Sequence, residues 1–177
     1  DGGDATLGLE STIVDLTVEP PAILRPGFIT GEMLRQKLGR VDEDETLFSA
    51  DSGQAPKAPG MKYRHYAPKG ELTIVRGPAE EVTDFIGKEL AEGRRNGKKT
   101  GVIATDETID KYEADVPRSV GKRTDAAAAA KGLYRVLREF DDEGVELIYS
   151  ESFDGEGISQ AVMNRLLKAA GHRVINV

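Results

Sequence analysis

From residue 71 to residue 177 the sequence alternates short apolar runs with helical repeats, and this alternation restricts the fold more than any other feature. Leu72–Val75 predicts a buried strand, and Pro78 followed by Ala79, Glu80 and Glu81 opens a helix whose acids lie at its positive end. Val82, Phe85, Ile86 and Leu90 recur at helical spacing until Asn96-Gly97 stops the run. Gly101–Thr105 predicts a second strand, Thr108–Tyr112 a helical turn and Val116–Val120 a short third strand. Asp125 reads as the N-cap of a helix that runs through the alanines 126–130 to Phe140 and ends near Gly144. Alanine is the best helix former, so that run predicts close helix packing rather than low complexity. Val145–Tyr149 predicts a fourth strand, Ile158–Ala170 a third main helix stopped by Gly171, and Val174–Val177 a last strand. Strand and helix in turn predict an α/β class: an open, mostly parallel sheet in three layers.

Residues 1–41 break that rhythm. Thr12–Leu16 and Ala22–Leu24 predict strands, and Thr30 caps a helix with Leu34 and Leu38 on one face. Two strands and one helix bury too little to hold a core, so the segment is either the end of a larger domain or docks on another surface. Residues 42–56 carry Asp42, Glu43, Asp44, Glu45 and Asp51 with no base and read as a connector. Residues 57–69 carry Lys57, Lys62, Arg64 and Lys69 with no acid, bounded by prolines and without a period. The predicted division is therefore 1–41, a linker over 42–69, and the α/β domain over 70–177.

With 177 residues, 38% of them hydrophobic and 31% charged, the chain can bury one ordinary core or form a small domain with an appendage. No stretch approaches the roughly 18 apolar residues of a spanning helix, and Asp1-Gly2-Gly3 lacks both an initiator Met and a signal-peptide layout, which predicts a soluble, cytoplasmic fragment with no membrane contact. The absence of Cys excludes disulfides, thiol nucleophiles and Cys-ligated zinc, and His65 and His172 lie far apart for a His-based metal site. A net charge of -7 disfavours a chain-wide polyanion-binding surface.

Three patches carry chemistry. In Gly8–Asp15, Ser11 and Thr12 sit at the entry to a strand, where hydroxyls either donate to a phosphate or carboxylate or only cap a turn. In Ile23–Gly27, Arg25 leaves an apolar strand into a Pro-Gly turn, which suits a bidentate grip on an anion or a surface ion pair. Pro59–Pro68 interleaves Lys62, Tyr63, Arg64, His65 and Tyr66, a composition suited to stacking on a base while neutralising phosphates, or to docking across a groove. In the α/β part, Gly155-Glu156-Gly157 is the most Gly-rich loop, yet the third glycine of a dinucleotide fingerprint would fall at Gln160, and Glu151, Asp154 and Glu156 would repel a pyrophosphate, so the loop reads as structural or as contacting at most a cation or a basic partner. Asn164–Lys168 reads as an amphipathic helix with basic residues near its negative end.

Gly8–Asp15, Ile23–Gly27 with Ile29-Thr30, and Pro59–Pro68 together resemble the closing part of the YrdC-like domain and the interdomain linker of the long, two-domain threonylcarbamoyl-AMP synthases. Gly155–Gly157 with Ala161–Leu166 is similar to that family's appended Rossmann-like domain. The resemblance implies a nucleotidyltransferase that makes L-threonylcarbamoyl-AMP and pyrophosphate from L-threonine, bicarbonate and ATP, with Mg2+ accompanying the nucleotide, for threonylcarbamoyladenosine modification of tRNA. It further implies that Ser11 contacts the threonine or the acyl phosphate, that Arg25 holds ATP phosphates, and that His65 with Tyr63 or Tyr66 folds over the nucleotide as a lid. Only the end of the catalytic domain is matched, so the fragment alone is expected to be inactive. Two other readings stay open at this point. In one the chain is a non-catalytic module whose Lys62–Tyr66 segment binds RNA or a protein partner; in the other a small ligand binds at the carboxyl ends of the strands.

Overall fold

A computed structural model describes residues 8–44, 47 and 67–177. The predicted α/β domain is present as five parallel strands: β4 (Glu71–Arg76), β5 (Thr100–Ala104), β6 (Val116–Ser119), β7 (Leu147–Glu151) and β8 (Val174–Asn176). They lie in the order β6-β5-β7-β4-β8. Helix α2 (Ala79–Arg95) follows β4, a 3-10 turn (Ile109–Lys111) follows β5, α3 (Ala126–Asp142) follows β6, and α4 (Ile158–Ala169) follows β7. Alternation along the strands splits the core in two. Leu72, Ile74, Ile103 and Ile148 face α3 and α4, whereas Val75, Val102, Leu147 and Tyr149 face α2 and the 3-10 turn.

Local chemistry explains the helix limits. Glu80 and Glu81 in the first turn of α2 and Arg94 and Arg95 in its last complement the helix dipole. The Asp125 carboxylate accepts the Ala128 amide at 2.9 Å and caps α3 as expected, and Ala129 and Ala130 are buried where α3 meets α4.

The segment before the linker forms its own three-stranded sheet. Strand β1 (Ile13–Asp15) pairs antiparallel with β2 (Ala22–Arg25), and β3 (Asp42–Glu43) pairs parallel with β2. Helix α1 (Gly31–Leu38) starts at the predicted cap, with the Thr30 hydroxyl accepting the Met33 amide at 3.3 Å. Asp42 and Glu43, expected at the start of the connector, belong to this sheet instead; Ile23, Val41 and Leu47 bury one another beneath them. Docking, one of the two fates predicted for this segment, is seen directly and does not exclude the other. Leu9 packs on the main core, Asn164 Nδ2 donates to the Leu47 carbonyl at 2.7 Å, Gln160 Nε2 donates to the Glu43 carboxylate at 2.6 Å, and Arg165 Nη1 donates to the Gly8 carbonyl.

This docking overturns the amphipathic reading of Asn164–Lys168. Helix α4 is covered on one side by its own sheet and on another by residues 8–44 and Leu47, so Asn164 and Arg165 are buried and Lys168 is half-buried. The Arg165 guanidinium also lies over the Tyr134 ring, 5.1 Å from its centroid, which replaces part of its lost hydration. Sequence and structure differ again at β7, which begins two residues later than predicted and ends at Glu151, a residue expected in a loop.

Candidate functional site

The Arg25 patch is built from three contacts between residues 10–12 and 25–29. Arg25 Nε donates to the Ser11 carbonyl at 2.9 Å, and the Thr12 hydroxyl donates to the Ile29 carbonyl at 2.8 Å. Gly27 lies against the same backbone: a Cβ there would sit 2.4 Å from the Glu10 carbonyl oxygen and 2.7 Å from the Thr12 nitrogen. Any other residue at 27 would push the turn off the strand. The guanidinium is thus fixed through Nε while its two terminal nitrogens make no hydrogen bond among the described residues, which leaves the fork open for an anion.

The structure resolves the alternatives at this patch unevenly. Thr12 is a structural hydroxyl, whereas the exposed Ser11 hydroxyl has no partner among the described residues. Arg25 forms no surface ion pair among those residues. Tyr63, His65 and Tyr66, expected to close over the nucleotide, lie outside the described residues.

Helix α4 adds a group that sequence reasoning placed on a solvent face. Gln160, Asn164 and Lys168 recur at i, i+4 spacing, and the first two bind the docked segment. Lys168 continues that stripe to Glu10 and Arg25, whose charges both act on it. Burial pulls its ammonium below the usual lysine range, Glu10 opposes that and Arg25 reinforces it. The polar stripe on an otherwise apolar helix was the signal for this interface.

His172 follows, in the left-handed conformation at φ 60°, with Nδ1 buried and without a hydrogen-bond partner among the described residues. Burial lowers its pKa from the ordinary 6.5, and the Lys168 charge lowers it further. Well above pH 6.5 the imidazole is neutral in folded and unfolded chains and adds no pH dependence. As the pH falls below that value the unfolded chain takes up the proton first, so stability declines until the lower folded value is passed. In His172→Asn, which tolerates the left-handed backbone, that part of the acid decline should vanish. Urea midpoints measured between about pH 7.5 and 5 check this, and parallel profiles for the two proteins would contradict it.

Fold and patch define a class: an open parallel α/β domain carrying, on α4, a small sheet that presents a fixed arginine. The family model described as threonylcarbamoyl-AMP synthase, C-terminal domain, matches residues 29–171. The chain belongs to that family. It is 41% identical over 175 residues to the threonylcarbamoyl-AMP synthase of Bacillus subtilis (strain 168), covering 99% of this chain and 49% of the relative. The Pyrococcus abyssi synthase is 40% identical over 177 residues, 100% of this chain and 50% of the relative. The chain therefore spans about half the length of the curated relatives it matches. Among solved structures, P. abyssi Sua5 complexed with L-threonine superposes with a TM-score of 0.87 at 38% identity, over 100% of this chain and 50% of that one. A variant of the same protein, with an adjacent His and Tyr each replaced by Ala, gives the same score and identity over 100% and 49%. The C-terminal Sua5 domain from Pyrococcus horikoshii matches at a TM-score of 0.51 and 33% identity, over 63% of this chain and all of that one.

Proposed function

We propose that this chain is the C-terminal part of a cytoplasmic nucleotidyltransferase that condenses L-threonine, bicarbonate and ATP into L-threonylcarbamoyl-AMP with release of pyrophosphate, supplying the threonylcarbamoyladenosine modification of tRNA. The observation that carries the reading is Arg25, held through Nε with its two terminal nitrogens uncommitted among the described residues, in a chain whose relatives are threonylcarbamoyl-AMP synthases. In this reading residues 1–41 close the catalytic domain, 42–69 link, and 70–177 form the appended domain.

Each substrate is anionic or becomes so, and positioning with charge neutralisation supplies most of such a reaction's acceleration. Arg25 takes the phosphates of ATP, and Mg2+ rides on the nucleotide. The Ser11 hydroxyl donates to the threonine carboxylate or to the acyl phosphate. His65 with Tyr63 or Tyr66 covers the nucleotide.

Exposed apolar side chains support a further part of the catalytic domain that packs on this segment. Leu16 (67% exposed), Val18, Phe28, Ile29, Met33 and Leu38 all fall within 16–38, and a surface patch of that kind calls for a covering partner. The test is complementation in trans. Combined with the amino-terminal half of a relative, L-threonine, bicarbonate, ATP and magnesium, the chain should yield pyrophosphate and threonylcarbamoyl-AMP, while neither half does so alone. Stable association of the halves without product would refute the catalytic assignment.

A further inference from the structure

Strand order leaves a crevice that the proposed reaction does not use. The connection after β4 crosses to α2 on one face, whereas those after β6 and β7 lead to α3 and α4 on the other. Ligands of open α/β sheets bind outside the carboxyl ends of the strands where connections part in this way. A cavity of about 80 Å³ lies at these carboxyl ends, on the α3 and α4 face of the sheet, between the first turns of the two helices. A water needs about 10–15 Å³ of such space, so the cavity takes a group of roughly five heavy atoms.

The charges around it are unequally committed. Asp154 is held by Arg76 through two hydrogen bonds of 2.6 and 3.1 Å. Glu151, 3% exposed at the end of β7, accepts the Tyr112 hydroxyl at 2.7 Å and the Arg123 guanidinium. Arg123 also donates to the Ser152 carbonyl at 3.3 Å, so both its terminal nitrogens are tethered on the cavity wall. The Lys122 ammonium and the Ser159 hydroxyl line the same space and have no partner among the described residues. Glu151 and Asp154 are thus paired, Glu107 accepts the Arg123 amide at 3.1 Å and Glu156 stays exposed outside the lining, while the uncommitted lining groups are a cation and a donor. The remaining wall is apolar, made by Ala129, Phe153 and Val162.

Glu151 is buried whereas the Arg123 side chain is 48% exposed, so the carboxylate is the group whose desolvation needs compensation, and Tyr112 and Arg123 supply it. That pairing fixes Arg123 at the cavity. We propose that this cavity binds a small organic anion, a carboxylate or phosphate with a short apolar tail, whose charge meets Lys122 and Arg123 and whose tail rests on Phe153 and Val162. Glu151 acts as a positioning residue for Arg123.

Backbone amide NMR of the 177-residue chain, titrated separately with butyrate, inorganic phosphate and neutral butyramide, tests the site. Saturable shifts confined to residues 122–129 and 153–162 are expected with butyrate or phosphate, and which of the two saturates first identifies the head group. Butyramide should bind about tenfold more weakly or not at all. Lys122 is exposed on a loop, so Lys122→Met should keep the native spectrum and weaken the anion about tenfold. The site is refuted by an absence of saturation with both anions, by an equal response to butyramide, by shifts centred elsewhere, or by unaltered affinity in Lys122→Met.

Discussion

Arg25→Ala, placed in the reconstituted synthase, is expected to lower pyrophosphate release by about a hundredfold or more, the usual cost of removing a fixed donor from a developing phosphate charge. Alanine removes both the fork and the Nε bond to the Ser11 carbonyl. Losing that bond, at a half-buried site, costs about 1 kcal/mol of stability, too little to unfold the segment. Arg25→Lys separates the roles: it keeps the charge but not the planar fork, so kcat/KM for ATP should recover only in part. Activity within about threefold of wild type for Arg25→Ala would remove this residue from the phosphate site.

The second large effect is on stability. Phe140 is fully buried and occupies the space that Gly101 leaves on β5, where a Cβ would approach its ring carbon to 2.9 Å. Phe140→Ala empties that space and should cost about 3–5 kcal/mol, against about 5–15 kcal/mol for a whole domain. Phe140→Leu retains most of the volume and should cost about 1.5 kcal/mol or less. Urea unfolding followed by circular dichroism measures both; a loss below about 1 kcal/mol in Phe140→Ala would mean that the α3 contact with the sheet is not a principal part of the core.

The helices and strands of 70–177 were legible in the sequence because each is specified locally. Asp125 caps α3 from its own side chain, and Asn96-Gly97 ends α2 by turn chemistry. The end of β7 was not legible, since Glu151 is polar and its burial depends on Tyr112 and Arg123, which are 39 and 28 residues away in the chain. Asn164 and Arg165 were misread for the same reason: a helix that contacts a sheet on one side and a distant segment on another has no solvent face, and helical period alone predicts one.

At the candidate site the division is similar. Ser11 and Arg25 were identifiable from their own motifs, and the sheet pairing brings them together. Lys168 joined them only through docking of α4 on residues 8–44 and Leu47. Local sequence thus determined the α/β class, the caps and the arginine in its turn, because propensity, period and turn chemistry act within a few residues. Tertiary structure alone decided the docking of the first sheet, the burial of α4 and the pairing of Glu151 with Arg123, because desolvation depends on which distant surface covers a side chain.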